Sequence, residues 1–124
     1  MADVEGSILQ DVKKMLGLAA DYSPFDAEIV LHTNSALSKL DQLGVGPAGG
    51  MSISDEQATW ADLIGDDHRL NMVKTFLGLT VKLAFDPPQI GHVLTAMKEQ
   101  IAEQEWRLSC TIENDRWEAA RAGR

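Results

Sequence analysis

The sequence predicts an all-α protein: a small helical bundle of about four helices, with a glycine-rich loop or small hairpin between the second and third long helices and an extended C-terminal tail. Three observations carry this expectation. Apolar residues recur at spacings of three and four in four separate segments. Most of the glycines and all the prolines fall between those segments and supply the stops that helices need. Nothing alternates polar and apolar residues for long enough to read as a long strand.

The first segment opens at Ser7-Ile8-Leu9-Gln10, which has capping-box spacing: a hydroxyl to accept from a free backbone N–H and a glutamine three places on. Ile8, Leu9, Val12, Met15 and Leu16 follow at helical spacing, and Gly17 can adopt the left-handed stop. A second helix is expected from Ser23-Pro24-Phe25-Asp26, with the serine as cap, proline in the first turn and aspartate at the positive helix end. Phe25, Ile29, Thr33, Ala36, Leu37, Leu40 and Leu43 line one face of it. The segment LGVGPAGGMSISD then packs Gly44, Gly46, Pro47, Gly49 and Gly50 into seven positions, so the chain leaves the helix for a loop, or for a small hairpin through Met51, Ser52 and Ile53. A phosphate-binding loop is not expected there, because the lysine and Ser/Thr of a P-loop are missing and no strand precedes it.

Thr59 to Gly65 reads as one capped helical turn, with Trp60 as a lid over the core. A third long helix is expected from about His68 to Phe85. It is apolar around most of its circumference, as a central helix buried by several neighbours would be. Asp86-Pro87-Pro88 ends that helix, and the expectation is that Asp86 caps and Pro87 opens the next within the same few residues. The fourth helix carries Ile90, Val93, Leu94, Met97, Ile101 and Leu108, together with a Glu103–Arg107 pair in the favourable order. From Ser109 onward the pattern dissolves, which divides the chain into a bundle domain, 1–108, and a tail, 109–124, ordered by a partner.

At 124 residues the chain is one domain that buries roughly two thirds of its extended surface, enough for a core without metal or disulfide support. The lone cysteine, Cys110, has no internal partner, which fits a reducing compartment or an intracellular assembly. The first residues lack the basic start and apolar run of a signal peptide, and the most apolar stretch is far shorter than the ~20 residues a bilayer requires, so a soluble protein is expected.

The formal charge of −8 is concentrated. Between Met15 and His68 the only cation is Lys39, against the acids Asp21, Asp26, Glu28, Asp41, Asp55, Glu56, Asp62, Asp66 and Asp67. Such a chain cannot hold DNA by neutralising phosphates. The plain explanation is solubility, and the sharper one is a surface that repels a polyanion.

No chemistry is foreshadowed. His32, His68 and His92 are far apart in sequence and lack zinc spacing. Asp66 and Asp67 suit a helix N-terminus, and no hydrolase or dinucleotide fingerprint occurs. No catalytic residue, cofactor or metal is therefore assigned. What stands out is Trp106 and Trp117, late in the chain beside charged residues, since tryptophan and arginine dominate protein–protein hot spots.

Taken in order, SILQDVKKMLGL, FDAEIVLHTNSALSKLDQLGVGP, TWADLIGDDHRLNMVKTFLGLTVKLAFDPP and VLTAMKEQIAEQEWRL resemble the head–tail connector proteins of tailed bacteriophages, also called adaptor or head-completion proteins. The most specific pieces are the segment around TWADLIGDD and the KLAFDPP corner. The resemblance implies a non-enzymatic virion protein of the neck, made in the host cytoplasm. It implies assembly as a ring, commonly of twelve copies, on the portal protein after DNA packaging, with a downstream neck or tail-completion protein as the next partner, DNA passing through without specific binding, and no membrane. On that basis Trp117, Arg116, Arg121 and Arg124 are expected to contact the portal, Met51 and Ile53 a neighbouring subunit, and Asp66 and Asp67 the channel. The competing expectation is a small acidic helical regulator that sequesters a basic partner and has nothing to do with virions.

Overall fold

The computed structural model describes residues 5–123. Five helices follow one another: α1 (Ile8–Met15), α2 (Asp26–Leu43), α3 (Trp60–Ile64), α4 (Leu70–Phe85) and α5 (Gly91–Ala122). Among the described residues there is no strand, only an isolated antiparallel bridge between Ser7 and Thr59. The four long helices and the short turn are those the sequence predicts.

The expected stops and starts of the first two helices are largely in place. Ser7 Oγ accepts from the Gln10 N–H at 3.2 Å. α1 closes with the Leu18 N–H donating to the Lys13 carbonyl, and α2 with the Val45 N–H donating to the Leu40 carbonyl, across left-handed Gly17 and Gly44 respectively. α2 starts later than predicted. Ser23 does not cap it; its carbonyl instead accepts from the Asp26 N–H, making a turn over Pro24 and Phe25 that delivers the chain to Asp26. Phe25 lies outside the core, half exposed, with its ring edge-on to Phe85 at 5.4 Å.

The long connection after α2 is not a hairpin. Val45 and Ile53 dip into the core, and the backbone of Ile53 is held by one side chain: Asn34 Nδ2 donates to its carbonyl at 3.0 Å, and its N–H donates to Asn34 Oδ1 at 2.7 Å. A side-chain amide on α2 thus does the work a partner strand would do in a hairpin. Thr59 then caps α3 reciprocally with Asp62. Trp60 is buried rather than a lid, its indole N–H donating to Asp11 Oδ2 at 2.7 Å.

α4 is the central helix, touching α1, α2 and α5. It buries Val73, Phe76, Leu77, Gly78 and Val81. Gly78 faces the end of the Met15 side chain of α1, which a Cβ at that position would displace.

The proline corner differs in detail from expectation. α4 ends at Phe85 as predicted, but α5 begins only at Gly91, preceded by an extended Ile90. Pro88 is the reason: a residue that precedes proline is pushed out of helical geometry, so Pro87 cannot serve as a first helical residue.

The largest departure is at the C-terminus, where no extended tail is present. α5 continues unbroken for 32 residues, about 48 Å. Between His92 and Ala122 there is no glycine or proline, and alanine, glutamate and arginine, all good helix formers, are abundant. Two side chains also anchor the stretch to the bundle. Ile112 is buried with Leu108, and Asp115 Oδ2 pairs with Arg69 Nη1 at 3.0 Å.

Candidate functional site

The residues considered for chemistry do not converge. Among the described residues no group of three or more His, Cys, Asp or Glu could hold a metal ion, and Cys110 is exposed and free. The cavities are open grooves between helices. No described helix is long and apolar enough to cross a membrane. The candidate site is therefore a surface, and α5 supplies most of it.

Only Leu108 and Ile112 of α5 are buried, and every residue from Glu113 to Gly123 is exposed. Trp106 is 67 % exposed and Trp117 is 55 % exposed. Eleven residues separate them, close to three full turns, so both indoles lie on one stripe of the helix. The Arg121 guanidinium stacks over the Trp117 ring, 5.5 Å from its centroid. Arg116 lies against the end of α2, where its Nη2 would be 2.8 Å from a Cβ added at Gly44. The chain end expected to meet the portal thus presents an indole with Arg121 over it, while Arg116 packs back against α2. Arg124 lies outside the described residues.

The other expected contacts fare unevenly. Met51 is half-buried against the core, while Ile53 is 4 % exposed and its side chain packs inside its own subunit. Asp66 and Asp67, adjacent in sequence, have different surroundings. Asp66 is exposed. Asp67 accepts from both Arg69 Nε, at 2.9 Å, and Arg69 Nη2. The Arg69 side-chain hydrogen bonds hold its carboxyl at about 2, well below the usual 3.8, against the opposing effect of burial and with lesser help from the Arg69 backbone N–H and charge. Arg69 thereby ties the loop before α4 to α5 through Asp67 on one side and Asp115 on the other.

Sequence reasoning missed three of the polar ties that shape this surface: Arg69 to its two aspartates, Asn34 to Ile53, and Lys13 to the α2 end. Lys13 Nζ, buried, donates to the Ala20 carbonyl at 2.9 Å and pairs with Asp26 Oδ1 at 2.8 Å. A signal existed for Lys13 alone. It falls four residues after Leu9 and three before Leu16, inside the apolar stripe of α1, where a cation must find a partner.

No curated protein and no solved structure matches the chain. The model of the family described as phage connector protein matches residues 8–115, from the first residue of α1 to the aspartate that locks α5 onto Arg69. With nearly the whole helical body inside that match, the chain belongs to the phage connector protein family.

Proposed function

We propose that this protein is a subunit of a ring that docks on the portal in the phage neck, completes the DNA-filled head, and links it to the tail through a downstream neck or tail-completion protein. A structural role in the neck follows from the family; the ring and its contacts are the further step. The observation that carries it is the distal half of α5, whose exposed Trp117 carries the Arg121 guanidinium over its ring on a helix already held to the bundle by Ile112 and Asp115. A preorganised aromatic and arginine cluster loses little entropy on binding and is the composition of a hot spot.

In this reading the α5 end grips the portal, Met51 and the glycine loop face the neighbouring copy, and exposed Asp66 faces the channel. Asp67 is neutralised by Arg69 and contributes less to the channel potential. The net charge of −8 lets DNA pass without sticking.

The test is to mix the purified protein with its portal and image the mixture by negative-stain microscopy. Rings on the portal are expected for the full chain and not for a chain ending at Arg116, which keeps Ile112 and Asp115 and should stay folded. A folded truncated protein that still decorates the portal would reject the α5 assignment, and no rings with either protein would reject the connector ring itself.

A further inference from the structure

The proposal above leaves one groove unused. It lies between α1, the first half of α2 and residues 53–56, with a cavity volume of about 510 Å³. Ala27 and Val30 offer its apolar surface over the nearly buried Leu9 and Ile53, and Asp26, Asp55 and Glu56 make an acidic rim. The wall is built rather than loose. Asn34 holds both polar groups of the Ile53 backbone, and just beyond, the Ile8 N–H donates to the Ala58 carbonyl at 3.1 Å and the Trp60 N–H to the Gly6 carbonyl at 2.9 Å. Lys13 answers Asp26, but Asp55 and Glu56 meet no cation among the described residues. A ligand that suits this groove places an apolar or aromatic body on the floor and a cation at the rim.

The chain itself carries that group. Trp117 and Arg121, one turn apart on α5, present an indole with a guanidinium stacked on it, and among the described residues neither Arg116 nor Arg121 has a carboxylate partner. A volume of this size lies in the range that encloses a small organic ligand, so an indole and an arginine stem fit within it. The subunit's own α5 end cannot be the occupant. It lies at Gly44, the C-terminal end of α2, whereas the groove flanks Asp26 to Val30, about 20 Å back along the same helix.

We infer that this groove receives the Trp117–Arg121 end of α5 from a second copy of the chain, so that the free protein associates head to tail. This rests on the ring reading for its biological sense: the contact is heterologous and belongs to the free protein, and the portal competes for the same α5 end when the ring forms. A neighbour thus guards the sticky end until the portal is present.

Sedimentation velocity on the free, full-length protein tests it. Association that grows with concentration and weakens in high salt is expected, since the groove and the α5 end carry opposite charge. Glu56→Lys and Arg121→Glu change exposed or half-exposed positions and should each raise the dissociation constant by about tenfold or more, with helical circular dichroism unchanged. Mixing the two variants restores a wild-type groove facing a wild-type end and a reversed pair as well, so association should return. A protein monomeric at every concentration, or one whose association ignores both variants, overturns the inference. Portal rings formed by a strictly monomeric protein would sink this contact and leave the ring reading intact. Self-association of the expected kind without portal rings would do the reverse.

Discussion

Lys13 is a buried cation that fixes the α1–α2 junction. It is 2 % exposed, and its ammonium joins α1, the connection at Ala20 and the first residue of α2. Removing one partner of a buried pair leaves the others desolvated without compensation, so Lys13→Ala should destabilise by about 2–4 kcal/mol. Lys13→Met keeps the stem packing and should cost less; chemical denaturation of both variants distinguishes lost packing from lost charge. Asp67 makes a pH-dependent contribution. Its folded-state pKa, about 2, lies below the ordinary 3.8, so the unfolded state binds more protons between those values and stability rises with pH there. The contribution is complete above roughly pH 5 and is lost as pH falls through about 2. Asp67→Asn should therefore lower stability at pH 7 by about 1 kcal/mol, an amount typical of a partly solvated charged hydrogen bond, and the gap from the parent protein should close near pH 2. Urea unfolding at the two pH values measures it, and an undiminished gap at pH 2 would show that Arg69 stabilises the loop by some other route.

At the scale of elements, the junctions hold most of the specificity. Gly44 ends α2 in left-handed geometry, with φ at +94°, and lies where Arg116 of α5 packs. Gly44→Ala should cost about 1–2 kcal/mol from backbone strain alone, and should displace the Arg116 guanidinium as well. The expected result is a lowered thermal midpoint together with weaker portal attachment, whereas a change in stability with normal attachment would separate Arg116 from the docking surface. The C-terminal helix teaches the complementary lesson. Its apolar rhythm fades after Leu108, yet a helix needs no apolar stripe to persist once a packed segment has nucleated it and its residues have good propensity. Ile112 and Asp115 then fix its direction against the bundle.

Across the whole molecule, charge and shape are polarised. The acidic half, from Met15 to His68, includes most of the groove, while Arg116 and Arg121, with no carboxylate partner among the described residues, ride toward the far end of a 48 Å helix. If Asp66 lines the channel, Asp66→Asn virions should assemble normally and eject DNA more slowly, because one repulsive charge per subunit is lost from the wall; ejection at the parental rate would move Asp66 elsewhere on the ring. The residues alone determined the helix count, the stops at Gly17, Gly44 and Phe85, most of the core, and the family, because periodicity, left-handed glycine and proline geometry act within a few neighbours along the chain. Only the tertiary structure decided that Ile53 is buried by Asn34, that Asp67 is neutralised while Asp66 is not, that α5 runs on to Ala122, and that Arg116 meets α2. The Ile53–Asn34 and Arg116–Gly44 contacts join side chains distant in sequence, of which local pattern carries no record, whereas Asp67 with Arg69 and the length of α5 involve near neighbours whose geometry is fixed only by the anchoring of Arg69, Ile112 and Asp115 in the packed bundle.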